Sequence, residues 1–206
     1  MMKITRPSAP DFLTENFVKW GTNYDNLRKK SPNAKFSWAT HKGSKVNTLL
    51  FPTLMIMTSI LFEIENAHCS FCDGFPVEPV SADSIEHFKP KSQFPLLSYV
   101  WENLFYCCSK CQESKLENFD ETLLKPDVDE YAFEYFFEYD TKTGEIIPNV
   151  DRSDIEIERA KITIKLYGFN EHGRPKARKR TIRQFMDSNN PILDEFPYRF
   201  ILNYLQ

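Results

Sequence analysis

Two cysteine pairs frame the part of this chain whose side chains could do chemistry: Cys69-Ser-Phe-Cys72 and Cys108-Ser-Lys-Cys111. Two residues between thiolates let both sulfurs reach one tetrahedral Zn²⁺ at about 2.3 Å, and two such knuckles complete a closed four-cysteine structural site. Residues 73–107 lie between the pairs, 35 in all. Zinc ribbons use shorter loops, so spacing alone leaves unliganded buried thiols or a redox pair open. Cys107 is the fifth cysteine and reads as a small buried hydrophobe. His68 flanks Cys69, but four thiolates already fill a tetrahedron.

Between the knuckles runs Ser84-Ile-Glu-His-Phe-Lys-Pro-Lys-Ser92. His87 has a reference pKa near 6.5, so it is mostly neutral and able to accept a proton near pH 7. Glu86 carries hard oxygens suited to Mg²⁺ or Mn²⁺. Adjacent side chains on a strand point to opposite faces, so Glu86 and His87 reach one centre only where a strand ends or bends. Lys89 and Lys91 follow. Beyond them comes Trp101-Glu-Asn-Leu-Phe-Tyr-Cys-Cys-Ser-Lys-Cys-Gln-Glu-Ser-Lys115. Lys89, Lys91 and Lys115 are expected phosphate contacts. His41 and His172 read as ordinary solvated histidines.

These residues resemble the HNH endonucleases with a ββα-metal core. The likeness rests on a first zinc knuckle, an acidic-His pair followed by Lys-Pro-Lys, an Asn-Leu, a second knuckle and a following Lys. Glu86-His-Phe-Lys-Pro-Lys-Ser92 and Trp101-Glu-Asn-Leu104 look closer still to the HNH nuclease subunit of Septu-type and retron-associated anti-phage systems. Glu158-Arg-Ala-Lys-Ile-Thr-Ile, Leu166-Tyr-Gly-Phe-Asn170 and Arg178 to Arg183 extend the similarity. The resemblance implies that His87 is the general base and that Glu86 binds a catalytic Mg²⁺ (or Mn²⁺). It implies that Asn103 bonds the backbone of the connecting loop and holds the His in place. The last motif member is usually His or Asn directly after the second knuckle. Here it is Gln112, whose carboxamide oxygen can still ligate a metal but sits one methylene further out; Glu113 is an alternative ligand. The implied partner is an ABC/SMC-like ATPase, the implied substrate is nucleic acid, and the implied place is the bacterial cytoplasm. DNA is favoured, with RNA (tRNA included) open. A non-catalytic zinc-held binding module is the competing reading, if Gln112 marks a decayed site. The presence of Glu86, His87 and Asn103 argues against it.

Helices and strands must position these groups. Phe12, Phe17, Trp20, Tyr24 and Leu27 recur at helical spacing and predict a helix near 11–30. The apolar run Leu49–Phe62, with Pro52 inside it, is too short to span a bilayer, and Leu49–Asn66 reads as a buried helix. Phe133, Tyr135, Phe137 and Tyr139 alternate with Glu134 and Glu138. This predicts a strand, and Asp140–Gly144 turns it into a hairpin over 133–147. A helix is expected from Asp154, with Ile155, Ala160, Ile162 and Leu166 facing the core. Arg174 to Arg183 carries six cations and no acid, and Arg178, Lys179 and Arg180 are its expected substrate contacts. The alternative is an exposed face paired with acids elsewhere. Phe196 to Leu205 is an apolar tail.

The fold class follows as α+β: a small ββα-metal core with a four-cysteine zinc, flanked by helices and a hairpin. The regions are 1–66, 67–125 and 126–206, within one compact unit. Composition sets the limits. The chain has 206 residues, 41% hydrophobic and 15% aromatic, which excludes wholesale disorder. Its net charge of −3 argues against binding nucleic acid by a general coat of positive charge. Ten acids over 113–140 offset the basic segment. The first residues carry no apolar signal region, and paired cysteines in a reducing compartment favour metal over disulfide.

Overall fold

The computed structural model describes residues 1–36, 66–77 and 83–203. The helix expected over 49–66 falls almost wholly outside them, as does His41. The described part is α+β, built of short strands and short helices. No described helix is long and apolar enough to cross a membrane.

At the centre, β1 (Asp83–His87) pairs antiparallel with β2 (Leu104–Cys108). Asp83 lies opposite Cys108 and His87 opposite Leu104. All five residues of β2 are buried, as befits a strand covered on both faces. The helix α3 (Ser109–Lys115) starts at the next residue and packs on both strands. The chain order here is therefore strand, strand, helix.

Residues 88–103 connect β1 to β2 through two single 3₁₀ turns, Pro95–Leu97 and Trp101–Asn103. Among the described residues, two helices precede this core, α1 (Asp11–Thr14) and α2 (Phe17–Lys30), so the helix expected near 11–30 is broken at Glu15 and Asn16. α2 lies against the first 3₁₀ turn. It comes so close that a Cβ on Gly21 would stand 2.6 Å from the Leu96 carbonyl oxygen, which explains a glycine inside a helix. Trp20 meets Tyr99 edge-on at 5.4 Å beside that contact.

The C-terminal half corrects two expectations. Phe133–Phe136 forms a helical turn, α4, and only Phe137–Tyr139 is strand, β3. Phe133, Phe136 and Phe137 are the buried members. Their i, i+3, i+4 spacing is helical, and it prevails over the alternation with Glu134 and Glu138. β3 pairs with β4 (Ile146–Pro148). The turn between them is held by Asp140, whose carboxylate accepts from the Lys142 N–H at 2.8 Å and the Thr143 hydroxyl at 2.8 Å.

α5 (Asp154–Leu166) begins at Ser153 with a reciprocal Ser153–Glu156 capping box. Ala160 is fully buried, and Ile162 and Leu166 pack against the core, but Ile155 is exposed. Five residues before Ala160 is about 140° around the helix, so Ile155 faces away. α6 (Arg174–Asp187) and α7 (Arg199–Leu202) complete the fold. One hydrophobic cluster runs through the described chain from Met1 and Leu13, through Phe71 and Tyr106, to Ile201.

α7 is fastened to the turn over residues 67–77. Asp73, itself buried, accepts from the Arg199 backbone N–H at 2.6 Å and from its guanidinium at 2.7 Å. His68 Nδ1 lies 3.3 Å from the same carboxylate. Removing a partner from a buried pair leaves an uncompensated charge, at a cost of about 3–5 kcal/mol. Asp73→Ala is expected to destabilise the protein by about that amount, read by urea denaturation. A change under about 1 kcal/mol would mean the clasp contributes little.

Candidate functional site

The two knuckles meet because β2 brings one to the other. The Ser70 N–H donates to the Tyr106 carbonyl at 3.0 Å, and the Cys108 N–H reaches Cys69 Sγ at 3.4 Å. Cys108 ends β2 and Cys111 lies in the first turn of α3, so the strand–helix junction presents both sulfurs to one side. The sulfurs of Cys69, Cys72, Cys108 and Cys111 are buried and lie within 4.8 Å of one another. Cys72 and Cys108 are 3.7 Å apart. A tetrahedron with 2.3 Å zinc–sulfur bonds has edges of about 3.8 Å, so the cluster fits a zinc ion. Burial pushes the Cys69 and Cys111 thiols up, whereas hydrogen bonds from Cys108 and Cys111 push Cys72 down.

Arg174, at the first position of α6, supplies the neighbouring positive charge. Its Nη2 lies 3.1 Å from Cys111 Sγ and 3.8 Å from Cys108 Sγ, while Nη1 donates to the Tyr167 and Gly168 carbonyls. Sequence reading missed this role, because nothing local to Gly173-Arg-Pro175 reports a contact 63 residues away. Cys107 is buried beside the cluster and donates to the Cys108 carbonyl at 3.3 Å. His68 is buried away from it, with Nε2 on the Asp194 carbonyl at 3.0 Å.

A cavity of about 270 Å³ opens on the other side of the β1 end. Glu86, His87, Lys91, Gln112, Glu113 and Glu117 are among its lining residues. His87 is the last residue of β1, which is what allows two adjacent side chains to face one space. His87 is buried, and its Nε2 lies 3.0 Å from the Ser98 carbonyl. A carbonyl only accepts, so Nε2 carries the hydrogen. Burial, helped by the Lys91 charge, lowers the His87 pKa to about 3. The ring is therefore neutral near pH 7, with Nδ1 as its lone-pair nitrogen. Ser98 had no signal in the sequence, since the contact is to its backbone.

Asn103 fastens the connecting loop. Its Oδ1 accepts from the Lys89 N–H at 2.7 Å, and its Nδ2 donates to the Lys89 and Leu97 carbonyls at 3.0 and 3.1 Å. The loop so held carries Ser98, the residue that orients His87.

Three expected substrate cations are placed otherwise. Lys115 is fully buried, with Nζ 2.6 Å from Glu86 Oε1 and 3.0 Å from the His87 carbonyl. Lys89 pairs with Glu121 at 3.1 Å and lies over the Phe94 and Phe119 rings. Arg178 is buried, donating to Gly144 O, Asn170 Oδ1 and Phe169 O. Lys115 and Arg178 are enclosed, and a buried guanidinium or ammonium cannot meet a phosphate, whereas Lys89 is half-buried and paired with Glu121. Lys91 does line the cavity. Arg180 is exposed and Lys179 half-buried, its Nζ donating to the Lys142 carbonyl. α6 thus divides by helical period: Arg174, Arg178, Thr181 and Phe185 are buried, and Lys176, Lys179, Arg180 and Arg183 form the outer face.

The oxygen donors of Glu86, Gln112, Glu113 and Glu117 suit a hard divalent ion, with Glu86 Oε1 engaged by Lys115. Glu86 itself is pushed up by burial and pulled back by Lys115.

The His87 shift has a sign in stability. An unfolded histidine titrates near 6.5 and the folded one near 3, so between these values the unfolded chain binds a proton that the folded chain does not. The stability tied to this group is complete above pH 6.5 and is lost as pH falls toward 3. Going from pH 7.5 to 4.5 is expected to cost roughly 2–3 kcal/mol through His87 alone. His87→Gln should lose correspondingly less, by urea denaturation at both pH values. Equal losses in both proteins would contradict the assignment.

No family model matches this chain, and no curated protein does.

Proposed function

We propose that this chain is a metal-dependent endonuclease of the HNH kind, with a zinc ion held by Cys69, Cys72, Cys108 and Cys111. The observation that carries the reading is the placement of His87. Its Nε2 lies on the Ser98 carbonyl, at the end of a strand, and the residue shares one cavity with Glu86 and Gln112. A phosphodiester is a poor electrophile, so its hydrolysis needs an activated water and neutralised phosphate charge. His87 takes the proton of the attacking water. Asn103 and Ser98 keep the ring oriented by fixing the loop. Lys91 is the cavity-lining cation available to the phosphate. A divalent ion held by Glu86 and Gln112 would supply charge at the phosphate and at the leaving oxygen.

The strand–strand–helix order and the cluster geometry support this reading alongside the sequence resemblance. That resemblance also carries the wider proposal: an effector of anti-phage defence in the bacterial cytoplasm, acting on DNA with an ABC/SMC-like ATPase partner. The outer face of α6 offers four cations for substrate. This is few for a self-sufficient nuclease, and it fits one that leans on a partner for affinity.

The test is cleavage of plasmid DNA and of total RNA with Mg²⁺ or EDTA, with and without the genomic neighbour. His87→Ala is expected to lower the rate at least 100-fold, the lower end for general base catalysis. Cutting that survives His87→Ala would refute the mechanism, and RNA cut in preference to DNA would change the substrate.

The zinc has its own measurement. Elemental analysis is expected to return one zinc per chain. Arg174→Met should weaken zinc about 10–100-fold against a chromophoric chelator, as loss of a hydrogen-bond partner to a ligand does. An unchanged affinity would remove Arg174 from the site.

A further inference from the structure

Lys115 stands where a metal cation is expected. Its ammonium is fully buried at the end of α3, 2.6 Å from Glu86 Oε1 and 3.0 Å from the His87 carbonyl oxygen. These are the contacts a cation bridging the β1 end would make. Glu86 is itself nearly buried and lines the cavity, and a buried carboxylate without a counter-charge is costly. Lys115 provides that counter-charge without any ion.

A divalent ion ligated by the Glu86 carboxylate would approach its oxygens to about 2.1 Å. With the ammonium already 2.6 Å from Oε1, the two cations would face each other across one carboxylate, in a site shielded from water. Like charges repel strongly there. Lys115 is the last residue of α3, and the next residue, Leu116, has a positive φ of 50° and an exposed side chain at the cavity rim. Such backbone is costly for a residue with a Cβ and marks a segment under constraint.

We propose that Lys115 and the divalent ion exchange at Glu86. The ammonium holds the carboxylate when no ion is bound and gives it up when one binds. This rests on the metal-dependent reading above and adds to it a built-in competitor for the metal. The protein folds around a complete charge pair without the catalytic ion, and that ion binds only by breaking the pair.

The test uses full-length, zinc-loaded protein and Mn²⁺, with free Mn²⁺ read by electron paramagnetic resonance. Glu86→Gln identifies the site as the binding it removes. Lys115→Met, similar in size but uncharged, is expected to bind Mn²⁺ there at least ten-fold more tightly than the wild type. Equal or weaker binding overturns the exchange and leaves the metal-dependent reading standing. If Glu86→Gln removes no Mn²⁺ binding, both fall. Wild-type protein carries a second measurement, independent of whether Lys115→Met folds. Reductive methylation by formaldehyde and borane, read by mass spectrometry, should leave Lys115 unlabelled without Mn²⁺ and label it with saturating Mn²⁺. Protection that Mn²⁺ leaves unchanged overturns the exchange.

Discussion

Four sulfur atoms from two places in the chain have to lie within a few ångströms of one point, and much of the described structure answers to that demand. The turn over 67–77 is pinned to β2 through Ser70 and Tyr106. The strand–helix junction at Cys108 presents the second pair. Arg174 brings the start of α6 to the same sulfurs, and Asp73, beside Cys72, receives α7 through Arg199. Segments separated by more than a hundred residues thus converge on one small cluster. An arrangement of short strands and short helices gains from such a tie, because none of the described elements is long enough to hold position alone.

The far end of the β-ribbon poses the opposite problem. The sulfur end gathers soft ligands, whereas Glu86, His87 and Lys115 place three ionisable groups where water is scarce. Each reaches a different settlement. The imidazole stays neutral, the carboxylate keeps its charge by pairing, and the ammonium is enclosed with its partner. Neutral His87 beside a charged pair is an arrangement in which proton acceptance and charge neutralisation belong to separate side chains. The loop that fixes the imidazole is itself fixed by one carboxamide, Asn103, which makes three hydrogen bonds to two backbone positions.

The local chemistry was legible from the sequence. The cysteine knuckles, the helix from Asp154 and the turn at Asp140–Gly144 follow from residue type and spacing. Partners distant in sequence were not. Burial of Arg178 and Lys115 depends on carbonyls and a carboxylate that only the folded chain brings near, and a run of cations looks the same whether it faces in or out. The segment over 133–139 misled because FEYFFEY satisfies both a two-residue and a helical period, and packing of Phe133, Phe136 and Phe137 decided between them. Ser98 and Leu96 act through backbone atoms, which carry no mark in a sequence.

The division of α6 into two faces bears on thermodynamics of association as well as on packing. Binding a polyanion releases condensed counterions, and the logarithm of affinity falls with the logarithm of salt by roughly 0.9 per phosphate neutralised. Counting letters over 174–183 gives six cations, but Arg174 and Arg178 are committed to the interior. At most four charges of this helix can take part in that release. Any electrostatic grip it has on a polyanion is therefore both weaker and less salt-sensitive than its composition implies.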